Sequence, residues 1–317
     1  MFNSDDYIEL KKQFDEYYQN KILPDLVKSE GIRKLYLRMF LIISMLVLIW
    51  FAVVIYNQFT PGESIIDAIL SKLEIINVVI VLTVCIPLYL YNKITKINIL
   101  SNIANFFGEF EYAHNQSNTM LIKNMTLSEK SDKIEIDDAF TGKYLDVPVE
   151  IIEYKKFNLR EIRSQGVIKE EYIKNGRGLL FVAQMNKNFK GKTIVTKDRG
   201  ILNKITKYKN LQRVSLEDVL FEKKYEIYSD DQIEARYILT TSMMERMIKL
   251  SEIFSKIEYN FFDNKVYINI NTKKNLFECN SFFRTLINYK RIKKSFDELY
   301  LIFSIIKIIK LNEKQIL

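Results

Sequence analysis

The densest run of groups able to do chemistry is Tyr228–Tyr237, YSDDQIEARY, which brings Asp230, Asp231, Glu234 and Arg236 close together in the chain. Three carboxylates beside an arginine can coordinate Mg²⁺ or Ca²⁺, because hard cations take oxygen ligands. The spacing is not that of an EF-hand loop, since its turn glycine and closing glutamate are missing. The same residues also read as a helix start. Ser229, Asp230 and Asp231 are cap-forming types, and acids in a first turn suit the helix dipole. On that preferred reading Glu234 and Arg236 form ion pairs.

Two shorter elements echo each other. They are Phe140-Thr-Gly142-Lys143 and Phe189-Lys-Gly191-Lys192, each ahead of an expected strand. They read as equivalent hairpin corners, with each glycine supplying a positive φ. They are too short to cradle a phosphate, and the chain holds no G-x-x-x-x-G-K-[ST], G-x-G-x-x-G or G-x-S-x-G. A single histidine, His114, excludes sites built from several histidines, and a Ser-His-Asp triad would need this one residue. Cys85 and Cys279 are too far apart in sequence and setting to make a disulfide framework, which fits a reducing compartment. No cofactor is expected.

The elements that must carry these groups begin with two apolar runs. Met39–Tyr56 has 18 residues without a charge and Ile75–Tyr91 has 17. A bilayer core takes about 17 to 25 such residues per helix. The runs predict a transmembrane hairpin over residues 35–96, with spans at about 37–56 and 73–91. Lys28, Arg33, Lys34 and Arg38 precede the first span, and Lys93 and Lys96 follow the second. Basic flanks stay inside, so both termini are expected in the cytosol of a bacterial cell, with the protein multi-pass in its inner membrane. Neither span carries a central ionisable group, which argues for an anchor over a pore.

Around the hairpin, residues 1–34 predict an amphipathic helix capped by Ser4 and broken or kinked near Pro24. Residues 97–118 predict a helical stalk whose apolar spacing continues to Tyr112. Residues 119–290 predict a cytosolic α+β domain. Its expected strands are Met120–Ile122, Lys133–Ile136, Leu145–Tyr154, Gly178–Met185, Lys192–Thr196 and Lys224–Tyr228, with a less regular stretch at 206–220. Pro148 places the third of these at a sheet edge. A helix should follow Ser229, and Ser242 with Glu245 matches a capping box. Ile257–Phe262 and Val266–Ile270 flank Asp263-Asn264 as a hairpin. Residues 291–317 predict a C-terminal helix, packed on the domain or on the membrane surface. The fold class is therefore α+β: a two-helix membrane hairpin plus an antiparallel sheet packed with helices.

Several motifs in order resemble a known family. They are DDAFTGK (137–143), VPVEIIE (147–153), FKGKTIV (189–195), VSLEDVLFEK (214–223), YSDDQIEARYILT (228–240) and M-x-E-R-M (243–247). The chain resembles the bacterial membrane protein family catalogued as domain of unknown function number 3137, over most of residues 10 to 310. The resemblance implies two N-terminal spans and a soluble C-terminal part, and it implies no catalytic residue.

The net charge of +8 reflects a lysine-rich composition, and no motif for nucleic acid is present, so no nucleic-acid partner is expected. The expected function is a membrane-anchored interaction or scaffold module, more a binding protein than an enzyme. Its expected partners are the lipid bilayer, another protein and a second copy of the chain. A metal-dependent enzyme using Asp230, Asp231 and Glu234, or a subunit of an oligomeric channel or transporter, are the alternatives.

Overall fold

In the computed structural model, residues 4–57, 86–115, 131–164, 167–198, 208 and 210–311 are described. The expected strand Met120–Ile122 and the second apolar run up to Cys85 lie outside them. The chain divides into two compact units, residues 1–103 with 278–294 and residues 104–277 with 295–317.

The first unit contains α1 (Ser4–Tyr17), a π turn (Tyr18–Ile22), α2 (Leu23–Asn57) and most of α3 (Ile86–Phe107). Pro24 was expected to break or kink the first helix. The helical path instead widens just before it, where the Leu23 N–H bonds the Tyr18 carbonyl. Proline has no N–H and crowds the carbonyl one turn back, and a widened turn absorbs both defects. Phe14, Tyr18, Ile22 and Leu26 are all buried, one every fourth residue. An ordinary helix would rotate such a stripe by about 40° per step, and the wider turn takes up part of that drift.

A buried ion pair fastens this unit. Arg33 Nη2 lies 2.7 Å from Glu30 Oε1, and Arg33 Nε donates to Glu30 Oε2 at 2.8 Å. The same two side chains hold the segment ahead of the last helix. Arg33 Nη1 donates to the Phe282 carbonyl at 2.8 Å, and the Leu286 N–H donates to Glu30 Oε2 at 2.9 Å. Lys96 is also buried, 3.4 Å from Glu278. Of the basic residues expected beside the membrane, Arg33 and Lys96 are thus turned into the protein. Lys28, Lys34 and Arg38 are exposed, and Lys93 is half-buried.

Among the described residues, no helix is long and apolar enough to cross a membrane. The described part of α2 nonetheless exposes large apolar side chains from Leu35 to Val53. The stalk expected through Tyr112 ends at Phe107, because Phe110 leaves the helix to pair with Gly142 in a strand.

The second unit is built on a sheet whose nine described strands are β1 (Phe110–His114), β2 (Lys133–Tyr144), β3 (Val147–Ser164), β4 (Val167–Gln184), β5 (Thr193–Lys197), β6 (Gln212–Val214), β7 (Tyr225–Ser229), β8 (Ile257–Phe262) and β9 (Lys265–Thr272). They lie in the order β1-β2-β3-β4-β9-β8-β5-β7-β6, and neighbouring strands are antiparallel. Short helices α4 (Val219–Glu222), α5 (Gln232–Ile238) and α6 (Thr241–Ile253) join them, and α7 (Tyr289–Ile309) closes the unit.

The expected hairpin at Asp263-Asn264 is present as β8–β9. Both turn residues have positive φ, 51° and 58°, as the favoured two-residue turn requires. Pro148, however, is not on an edge strand, because β3 pairs with both β2 and β4. Pairing with β4 starts only at Val149, so Pro148 sits where one flank is still open and its missing N–H costs no ladder bond. The capping box at Ser242 also gives way. The helix starts earlier, capped by Thr240, whose hydroxyl accepts from the Met243 N–H.

One face of the sheet buries Ile136, Ala139, Ile152, Tyr154, Leu180, Val182 and Tyr267 as a core. On the other, Phe303 of α7 packs 4.9 Å from Phe110 and 4.7 Å from Tyr144. Leu299, Phe303, Ile305 and Ile306 are fully buried within this unit. Each such side chain contributes about 1.5 to 3 kcal/mol, which accounts for the strongly apolar character of the segment.

Candidate functional site at the β2 bulge

The alternation Ile134-Glu135-Ile136 is interrupted by two aspartates. In the ladder, Ile136 faces Tyr154 and Asp138 faces Glu153, so Asp137 is an extra residue, a β-bulge. The bulge shifts the phase of the strand. Ile134, Ile136 and Ala139 all join the same core, while Asp138 falls on the opposite face with Phe140. His114 on β1 stands opposite Asp138, and Asp138 opposite Glu153 on β3. Three strands therefore place His114, Asp138 and Glu153 in one row, with Asp137 beside it.

Asp138 Oδ1 is 3.0 Å from His114 Nδ1 and accepts from the Tyr112 hydroxyl at 2.5 Å. Asp137 Oδ2 lies 2.7 Å from Lys155 Nζ and 3.6 Å from Arg177 Nη2. Arg177 Nη1 also donates to Glu153 Oε1 at 3.0 Å, and the Leu276 N–H donates to the same oxygen at 3.1 Å. Asp138 and Glu153 are fully buried. Glu153 Oε2 has no hydrogen-bond partner among the described residues.

Burial pushes the Glu153 carboxyl up to about 8, and the charges of Asp138 and Asp137 push it the same way, against the Leu276 N–H and Arg177. The arrangement explains this in terms of charge count. Three carboxylates face two cations, Lys155 and Arg177. A proton on Glu153 leaves two aspartates against two cations.

This row can do two things chemically. It can exchange a proton near neutral pH at Glu153. It also offers ligand atoms from His114, Asp137 and Asp138 that lie within 4.8 Å of one another, close enough for one cation. Lys155 already compensates Asp137, and Tyr112 and His114 occupy one oxygen of Asp138. A cation would therefore compete with existing partners. The sequence hides this site because its members meet only through strand register. The one local signal is the break in alternation at Asp137-Asp138, beside the sole histidine in space but not in sequence.

The residues singled out from sequence are drawn together elsewhere. Asp231 caps α5, its Oδ1 accepting from the Ile233 and Glu234 N–H groups at 2.8 and 3.0 Å. Asp230 accepts from the Lys192 N–H at 2.7 Å, and Glu234 from the Gly191 N–H at 2.6 Å. Ser229 belongs to β7, and its hydroxyl is 2.9 Å from that of Thr193. Arg236 donates to the carbonyls of Gln232 and Ser215, at 3.1 and 3.2 Å. These carboxylates hold the Lys190–Lys192 turn to the start of α5.

The two glycine motifs are not equivalent corners, and neither glycine has a positive φ. Phe140 and Gly142 lie inside β2, where a Cβ on Gly142 would strike the Glu109 carbonyl. Phe189 and Gly191 lie in the loop before β5, and a Cβ on Gly191 would come within 2.7 Å of Glu234 Oε2. Close approach, not backbone handedness, is what both positions require.

Residues 175–311 match the family described as a protein of unknown function (DUF3137). The match spans most of β4 through α7, a smaller part than the residues 10 to 310 over which resemblance was expected. Among solved structures the chain is similar to mycobacterial trehalose monomycolate transport factor A, TtfA, with 9% identity and a TM-score of 0.35, covering 66% of this chain and 95% of that one. No curated protein matches.

Proposed function

We propose that this chain is a membrane-anchored interaction or scaffold module, with its sheet unit and both termini on the cytosolic side of a bacterial inner membrane. The observation that carries this reading is the surface of α2. Leu35, Leu41, Ile42, Leu46, Leu48 and Ile49 are all exposed, Leu48 at 70%. Successive residues of a helix point in different directions, so this surface is apolar all round, as a helix solvated by lipid is. Exposed Lys28, Lys34 and Arg38 lie just before it, the charge distribution of a cytosolic flank. The second apolar run, through Tyr91, supplies the return span. A two-span anchor concentrates the sheet unit at the membrane, where modest contacts with a protein partner or a second copy gain effective concentration.

Alkaline extraction of membranes from cells making the full chain tests the anchor. The protein is expected to stay in the pellet, and a variant carrying Leu41→Lys, Leu46→Lys and Ile49→Lys to be released. Release of the unaltered chain would refute the reading. A second reading, a cation-binding protein, has its support in the ligand spacing of His114, Asp137 and Asp138. Calorimetric titration with Zn²⁺ and Mg²⁺ separates the two, since only the second expects heat that is lost in His114→Ala.

A further inference from the structure

The segment between β9 and α7 holds a feature that the two-span anchor does not explain. Residues Glu278 to Asn288 contain no helix or strand, yet they are tied down at several points. Arg33 holds the Phe282 carbonyl, Glu30 holds the Leu286 N–H, and Asn280 Nδ2 donates to the Asn92 carbonyl at 2.7 Å. Phe282 is buried, edge-on to Tyr91 at 5.9 Å. The next residue does the opposite. Phe283 is 68% exposed, Ile287 is exposed, and Arg284 between them is exposed as well. A free loop could turn these apolar side chains inward. This one is fixed by buried hydrogen bonds, so its outward phenylalanine is a built feature.

Its position names the occupant. The Phe283 ring stands edge-on to Phe40 at 6.2 Å. Phe40 is the second residue of the charge-free run of α2, and exposed Lys34 and Arg38 flank that run. Apolar tips beside basic groups, continuous with a lipid-facing helix, match the boundary between headgroups and acyl chains. We infer that residues 281–288 form a membrane-interface contact, with Phe283 and Ile287 seated in the acyl boundary and Arg284, Lys34 and Arg38 on anionic headgroups. This inference rests on the proposed anchor.

Trp50 is the chain's only tryptophan and lies on α2, which allows the two ideas to be tested apart. The full chain is reconstituted in vesicles of phosphatidylcholine and phosphatidylglycerol, with or without bromine on the acyl carbons nearest the glycerol. Quenching of Trp50 reports on the anchor. Quenching in a Trp50→Phe, Phe283→Trp variant reports on the loop. The expected result is loss of emission in both proteins, with a smaller loss for the loop probe when Arg284→Glu is added. Circular dichroism of each variant confirms that the fold is kept. Quenching of Trp50 without quenching of the loop probe overturns the inference and leaves the anchor standing. Quenching of neither overturns both. A loop probe that shifts blue with protein concentration, and is not quenched by bromine, assigns the patch to a second copy of the chain and also overturns the inference.

Discussion

Replacing Glu153 by Gln should make the protein less sensitive to pH, and the size of the change follows from the site. The carboxyl is raised from the ordinary glutamate value of 4.5 to about 8. In the folded state it therefore holds a proton that the unfolded chain has released over the interval between those values. Stability then falls as pH rises through that interval, because the unfolded state binds fewer protons there. Each pKa unit corresponds to about 1.4 kcal/mol, so the loss between about pH 5 and pH 7.5 is roughly 3 kcal/mol from this group alone. Gln keeps the shape, places an NH₂ or oxygen where Oε2 was, and has no proton to lose. The assay is denaturant unfolding of the full chain in detergent, followed by far-ultraviolet circular dichroism at several pH values. Other groups titrate equally in both proteins, so the difference between the two curves isolates Glu153. That difference should narrow or change sign as pH rises, in favour of Gln. Parallel curves across the interval would refute the reasoning, because a buried carboxyl without a compensating shift cannot give them.

Gly178 faces Tyr154 directly across β3 and β4, and a Cβ there would fall on the tyrosine ring and hydroxyl. Gly178→Ala should cost about 1 to 3 kcal/mol, read as a lower midpoint of thermal unfolding, and much less in a Tyr154→Leu background. Glu30→Ala leaves Arg33 buried without its partner, a loss of about 3 to 5 kcal/mol, and amide exchange at residues 282–286 should speed up. The Glu30 carboxyl is held below the ordinary value, chiefly by the hydrogen bond from Arg33. Its contribution is therefore present above the ordinary glutamate pKa and is lost as pH falls through the folded one. The double variant Asp230→Ala, Asp231→Ala should destabilise the fold by about 0.5 to 2 kcal/mol per cap lost, with calorimetric affinity for Mg²⁺ and Ca²⁺ unchanged. Tight binding present in the parent and absent in the variant would sink that view.

What could be read from sequence was what is local. Asp263-Asn264 announced a turn because positive φ is a property of those two residues themselves. The acids before α5 announced a helix start for the same reason. Strands β3 and β4 were under-read because residues 155–177 carry charge on alternate and adjacent positions alike, and a strand with two wet faces has no apolar period. Their pairing comes from neighbours far along the chain. The capping box at Ser242 lost to Thr240 because two competent caps stood two residues apart, and packing of Met243, Met244 and Met247 decided between them. The candidate site was invisible for a plainer reason. His114, Asp138 and Glu153 share a row only once three strands have taken their register, and no spacing in the sequence encodes that row.

The bulge at Asp137 also bears on how this strand can tolerate changes in length. Losing one residue from a paired strand normally inverts every side chain beyond the gap. Here Ile136 and Asp138 already face consecutive residues of β3, Tyr154 and Glu153. Deleting Asp137 would leave both halves of β2 in register, with their apolar and polar faces unchanged. It would remove one carboxylate and leave Lys155 and Arg177 in excess. At this point in the sheet, chain length and site charge are coupled, and a one-residue deletion acts as a charge substitution.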